Sequence, residues 1–138
     1  MDPSFLIEAA ELASLHPAPL ILDTRKPESY ANGHIPGAVN LSTYDCFVQS
    51  TRPADLIAFG SAVAAIYAAA GVTRARPVVV YEDGTGMRAA RELWILEYLG
   101  HPNARMLHGG LKAWVASGGG LTAAKPVLTA GNFEPTPR

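Results

Sequence analysis

A chain of 138 residues is long enough for one domain and no more. At 49% hydrophobic and 17% charged residues it buries a proper core, which excludes wholesale disorder, and a net charge of −1 without any basic run argues against a general electrostatic grip on nucleic acid or on an acidic membrane. The single cysteine, Cys46, excludes an internal disulfide and any cysteine-based metal cluster.

The amino terminus, Met1-Asp2-Pro3-Ser4, has no basic region before its apolar part, so no secretory signal is expected. No apolar run reaches membrane-spanning length, and a reducing cytoplasm is the default location. Pro3 to Leu15 predicts an amphipathic helix, because Phe5, Leu6, Ala9, Leu12 and Ala13 recur near the helical period behind an Asp2 cap and an early proline. His16-Pro17-Ala18-Pro19 ends it. Leu20-Ile21-Leu22 predicts a central strand whose end carries the charged Asp23-Thr24-Arg25. Lys26 to Asn32 forms one or two helical turns, Gly33 to Ala38 a rigid turn, and Val39-Asn40-Leu41 a brief strand.

Ser42 to Pro53 has no period and is expected to be irregular. Ala54 to Ala70 is helical, with Leu56, Phe59, Val63, Ile66, Tyr67 and Ala70 along one face and Gly71 as its stop. Val78 to Tyr81 predicts a strand covered on both faces. Met87 to Leu99 forms the next helix, closed by Gly100; Ala104 to Leu107 is a short strand; Gly109-Gly110 opens a last helix, Leu111 to Ala116, which Gly118-Gly119-Gly120 closes. Alternating strands and helices predict an α/β fold, a central parallel sheet flanked by helices. The domain is expected to span residues 1–120. Residues 121–138, rich in threonine, alanine, proline and glycine, read as a linker-like tail leading to something further.

The stretch of most chemical interest is the loop between the valine strand and the helix after it: Glu82, Asp83, Gly84, Thr85, Gly86, Met87 and Arg88. Backbone N–H groups of such a loop, with the unpaired N–H groups that open a helix, converge as a partial positive charge fit for an anion. A thiolate, a phosphate or a sulfur oxyanion could be cradled at that place, beyond the carboxyl end of a strand. Here the loop brings its own carboxylates, so a filled or repurposed cradle is expected.

Other readings of these residues are weaker. Gly84-Thr85-Gly86-Met87-Arg88-Ala89 has the spacing of a dinucleotide fingerprint, but no acid lies between Glu97 and Glu134 to hold a ribose, so no cofactor is expected. Asp23 lacks a second acid two residues on and is expected to pair with Arg25, fixing loops rather than attacking phosphate. Nothing near Cys46 in sequence lowers a thiol pKa, and it reads as inert. His34, inside a turn, is expected to satisfy backbone groups. His16, His101 and His108 lack ligand spacing, so no metal is expected. Arg88, at the helix start facing the loop, is the foremost functional candidate; neutralising Glu82 or Asp83 is its competing role. Trp94 and Trp114 read as core or domain-interface aromatics.

Taken together, these pieces resemble the rhodanese family of sulfurtransferases over almost the whole chain. Asp23-Thr24-Arg25, then Tyr30, then Gly33-His34-Ile35-Pro36-Gly37-Ala38-Val39-Asn40 resembles that family's first signature, and Gly109-Gly110 followed by Trp114 its last. The resemblance implies a rhodanese-like three-layer fold, a structural role for Asp23, Arg25, His34 and Gly37, and Val78 to Arg91 as the active-site loop. Active members place a cysteine there, which takes sulfane sulfur from thiosulfate or 3-mercaptopyruvate and hands it to a thiophilic acceptor. Here Asp83 takes that place when aligned backwards from Arg88, and Glu82 does when aligned forwards from the valines. Arg91 and Trp94 are similar to the same spacing in the amino-terminal, noncatalytic half of two-domain thiosulfate or 3-mercaptopyruvate sulfurtransferases. The resemblance then implies a silent module whose partner is a second, cysteine-bearing rhodanese domain, in the same precursor or as a separate chain. The competing expectation is a stand-alone binding or regulatory module whose carboxylate-filled loop recognises a cationic or hydrogen-bonding partner. A phosphatase built on the same loop also needs the absent cysteine.

Overall fold

Branched and aromatic side chains at Leu20–Asp23 (β2) and Val78–Tyr81 (β4) build the centre of the sheet, where the two strands pair in parallel from Leu20 opposite Val78 to Asp23 opposite Tyr81. The computed structural model describes residues 5–43, 46 and 48–136. On one side of this pair lies Val39–Asn40 (β3), and on the other Ala104–Leu107 (β5) and then Leu6–Ile7 (β1), giving a parallel five-stranded sheet in the order β1-β5-β4-β2-β3. All four β4 residues are within 1% of complete burial, so the run of valines is covered on both faces.

The helices Ala9–Ser14 (α1), Pro27–Asn32 (α2), Pro53–Ala69 (α3), Met87–Tyr98 (α4) and Gly110–Ala116 (α5) divide between those faces. Leu20, Leu22, Val78 and Val80 point to a core shared with Phe59, Val63 and Tyr67 of α3 and Ala89, Leu93 and Leu96 of α4. Val79, Tyr81 and Leu107 point the other way, to Leu12 of α1, Tyr30 of α2 and Trp114 of α5. The predicted α/β arrangement of three layers is therefore the one observed.

Two expectations need correction. Residues Leu6 and Ile7 are not helical: they pair with Met106 and Leu107 as an edge strand, and the helix starts only at Ala9. Their apolar spacing fits either state, and the open edge of β5 decides. The Asp2 cap and Pro3 lie outside the described residues. The tail, through Thr136, has no helix and only one bridge, Thr122 with His34, yet it is bound to the domain along its length. The Gly131 N–H donates to Ala68 O (2.6 Å), the Thr136 N–H to Leu99 O (2.9 Å), and Arg74 to Glu134 O (2.9 Å). Phe133, 5% exposed, joins the α3/α4 core against Tyr67 and His101.

Candidate active site

Strands β2 and β4 are neighbours whose following connections run in opposite directions, α2 towards β3 over one face and α4 towards β5 over the other. That reversal opens a crevice at their carboxyl ends, the usual ligand position of an open parallel sheet. Asp23-Thr24-Arg25 lines one side and Glu82 to Gly86 the other. The Thr24 N–H and hydroxyl both donate to Tyr81 O at 3.0 Å, tying the two strand ends together.

Asp23 is wholly buried and accepts from the Arg25 N–H (2.9 Å), the Arg25 guanidinium (2.7 to 3.1 Å) and the Tyr81 hydroxyl (2.5 Å). Arg25 also donates to Gly33 O (2.7 Å). Burial acts to lower the guanidinium pKa, but the hydrogen bonds and charge of Asp23, with Tyr81 and Asp83, leave it raised. Burial, then the bond to Asp23, raises the Tyr81 phenol well above its ordinary value. The expected Asp23–Arg25 pair is thus present, within a larger network.

The loop turns through Gly84 and Gly86, at φ 80° and 85°, and Gly86 is the residue from which α4 starts. Its two carboxylates separate. Glu82, 7% exposed, folds back over the helix start, where its Oε1 accepts the Ala89 N–H at 3.0 Å. The Asp83 side chain is 60% exposed and stands 3.8 Å from the Arg25 guanidinium. Arg88, at the second position of α4, is half-buried. The Glu82 carbonyl accepts the Leu111 N–H (2.9 Å), and a Cβ on Gly110 would lie 2.3 Å from that oxygen, so only glycine lets α5 approach. Between the loop and Gly109-Gly110 is a cavity of about 220 Å³, also lined by Thr85, Met106 and His108.

His34 is fully buried against Tyr30, with Nδ1 on Tyr30 O (2.9 Å) and Nε2 on Ala124 O (2.8 Å), so it serves the backbone and the tail rather than the crevice. Gly37 forms the turn before β3 at φ 85°. Cys46 lies away from the loop, on the flank of α4, where its carbonyl accepts from Arg91 (2.7 Å). Trp114 is core, as expected; Trp94 is not, being 62% exposed and stacked on Tyr98. Sequence reading missed Glu92. This acid is 1% exposed and accepts from the Thr43 N–H and hydroxyl (2.9 and 2.6 Å) and the Tyr67 hydroxyl (2.6 Å), whose pKa burial and Glu92 raise. An acid inside the apolar stripe Ala89-Leu93-Leu96 was the available signal. Among the described residues no cluster of His, Cys, Asp and Glu could hold a metal, and no helix is long and apolar enough to cross a membrane.

The crevice therefore combines a helix-start cradle and buried positive charge with a carboxylate seated on that cradle. Three comparisons bear on it. The profile of the rhodanese-like domain matches residues 8–117. The chain is 36% identical over 140 residues to the putative thiosulfate sulfurtransferase SseB of Mycobacterium tuberculosis, and 30% identical over 132 residues to a thiosulfate sulfurtransferase of Pseudomonas aeruginosa. It covers 92% and 94% of itself in those matches but spans only 49% of each relative. The crystal structure of SseA from Escherichia coli, described as a 3-mercaptopyruvate sulfotransferase, superposes with a TM-score of 0.77 at 26% identity, over 97% of this chain and 57% of that one. Fold, signatures and relatives agree, and the chain belongs to the rhodanese-like domain family.

Proposed function

We propose that this chain is the noncatalytic module of a thiosulfate or 3-mercaptopyruvate sulfurtransferase, working with a second rhodanese-like module that carries the reactive cysteine. The observation that carries this reading is the Glu82 carboxylate on the Ala89 N–H. A thiolate or persulfide needs those helix-start N–H groups, and Glu82 holds one with a hard oxygen that cannot accept sulfur. Asp83, paired with Arg25, leaves the crevice floor to Glu82. The half-length match to two relatives named as thiosulfate sulfurtransferases supports a second module and a sulfane-sulfur substrate. In this reading the cytoplasm is the working compartment, and the tail, which braces the domain through Thr136, leads towards the partner.

The test is thiocyanate production from thiosulfate and cyanide by the purified chain, beside a Cys46→Ser variant. The expected result is no turnover above buffer in either. Turnover by the wild-type chain that disappears in the variant would move the chemistry to Cys46 and overturn the reading.

A further inference from the structure

Asn32 ends α2 and is followed by Gly33, and it is the only asparagine of the chain that precedes a glycine. Its side chain is exposed, and among the described residues nothing holds its amide by a hydrogen bond. The Asn40 amide, by contrast, donates to Asp23 O (3.0 Å) and Arg25 O (2.9 Å). Gly33 has no side chain to shield its nitrogen. Its N–H is tied only to Tyr30 O, at 3.2 Å, the long end of the normal range and at a helix end, where fraying is easiest.

We propose that Asn32-Gly33 is a site of spontaneous deamidation and isoaspartate formation, placed so that the change reaches the crevice. When the last turn of α2 frays, the Gly33 nitrogen forms a bond to Asn32 Cγ. Its proton passes through water to the amide nitrogen of Asn32, the Cγ–N bond breaks, and ammonia leaves. The resulting succinimide then takes up one water. Opening at Cγ gives aspartate; opening at the main-chain carbonyl gives isoaspartate, in which the backbone runs through the former side chain and is one carbon longer. Water is the only co-reactant. The residues that follow make the added atom matter. Gly33 O accepts from Arg25 at 2.7 Å, and Arg25 in turn holds the buried Asp23 and stands 3.8 Å from Asp83. Directly after it, the His34 N–H donates to Thr122 O and the Thr122 N–H to His34 O, both at 2.9 Å, which fixes the tail. A longer backbone puts both anchors out of register. Aspartate at the same place adds only a negative charge at a helix end, where it is mildly unfavourable.

The test ages the folded chain at pH 8 and measures isoaspartate by enzymatic methyl transfer, with peptide mapping to place it. Isoaspartate is expected to accumulate at position 32, and to stay absent from positions 40, 103 and 132. Asn32→Gln, which retains an exposed amide but closes the ring far less readily, is expected to lose the signal. Circular dichroism confirms that each protein is folded during ageing. Urea unfolding then compares the isolated isoaspartate form with Asn32→Asp, which carries the same charge on a backbone of normal length. The isoaspartate form is expected to have the lower midpoint. Its tail is also expected to be cut sooner by a protease, because the Thr122 bridge is displaced. No isoaspartate at position 32, or as much at Asn40 as there, overturns the site. An isoaspartate form that unfolds together with Asn32→Asp overturns its link to the Arg25 network.

Discussion

The carboxylate of Glu82 reaches from the end of β4 across its own loop to the N–H of Ala89, 3.0 Å away, in the first turn of α4. Negative charge is favoured there because the unpaired N–H groups of a helix start carry a partial positive charge. The contact closes the loop on itself. It also means that the cradle is occupied without any ligand.

A first prediction concerns what this closure is worth. Glu82→Ala should cost about 0.5–2 kcal/mol, the usual range for losing a helix-start acceptor. Glu82→Gln keeps an oxygen acceptor and loses only the charge, so it should cost less. Unfolding in urea, followed by circular dichroism, orders the three proteins. Equal stability of Glu82→Ala and wild type would show that the bond contributes nothing.

The same field makes a chemical prediction. A thiol placed at this position should ionise more readily than an ordinary one, since helix starts and nearby cations lower thiol pKa values. Glu82→Cys in a Cys46→Ser background should therefore react with iodoacetamide faster at pH 7 than Cys46 does in the wild-type chain. Slower or equal alkylation would mean that the loop does not form an anion cradle.

The tail gives a third prediction. Phe133 is 5% exposed and packs edge-on against Tyr67, with ring centroids 6.4 Å apart. Removing such a ring leaves a cavity and costs about 3–5 kcal/mol, so Phe133→Ala should sharply lower the urea midpoint. Val127→Ala, at a side chain 94% exposed in the same tail, should leave it unchanged. If both variants matched the wild type, the tail would be a free connector.

These cases show which parts of the molecule local sequence could declare. The valine run of β4, the long α3 and the glycine stops announce themselves because period and burial agree along most of each element, although Ile66, expected on the apolar face of α3, is exposed. The Asp23–Arg25 pair was legible because its partners sit two residues apart at a strand end. Leu6 and Ile7 were not, since a two-residue edge strand exists only through its pairing with β5. Phe133 was hidden for a related reason: a lone aromatic among prolines and threonines carries no period, and its pocket is made by α3 and α4. Glu92 was passed over because its partners, Thr43 and Tyr67, are remote in sequence. At the loop, the sequence showed two acids in two possible alignments. Only the fold separates them, turning Glu82 inward to the helix start and Asp83 outward to Arg25.

The last prediction is a pH dependence. His101 is 3% exposed, with Nε2 2.8 Å from Thr73 O and Nδ1 3.1 Å from the Asn103 nitrogen. The pair of contacts fits a neutral ring that donates from Nε2 and accepts the Asn103 N–H at Nδ1. Burial lowers its pKa below the ordinary 6.5; backbone contacts with Thr73 and Arg76 oppose the shift, and the charge of Arg74 adds to it. Between the folded and unfolded values the unfolded chain binds more protons, so stability rises with pH across that window. His101 therefore contributes fully above 6.5, and its contribution is lost as pH falls through the depressed folded value. The slope from one such group is at most about 1.4 kcal/mol per pH unit. Urea unfolding of the wild type and of His101→Gln at pH 7.5 and 5.5 isolates it from the other histidines. The wild type should lose more stability on acidification than the variant. An equal loss in both would mean that burial does not hold His101 neutral.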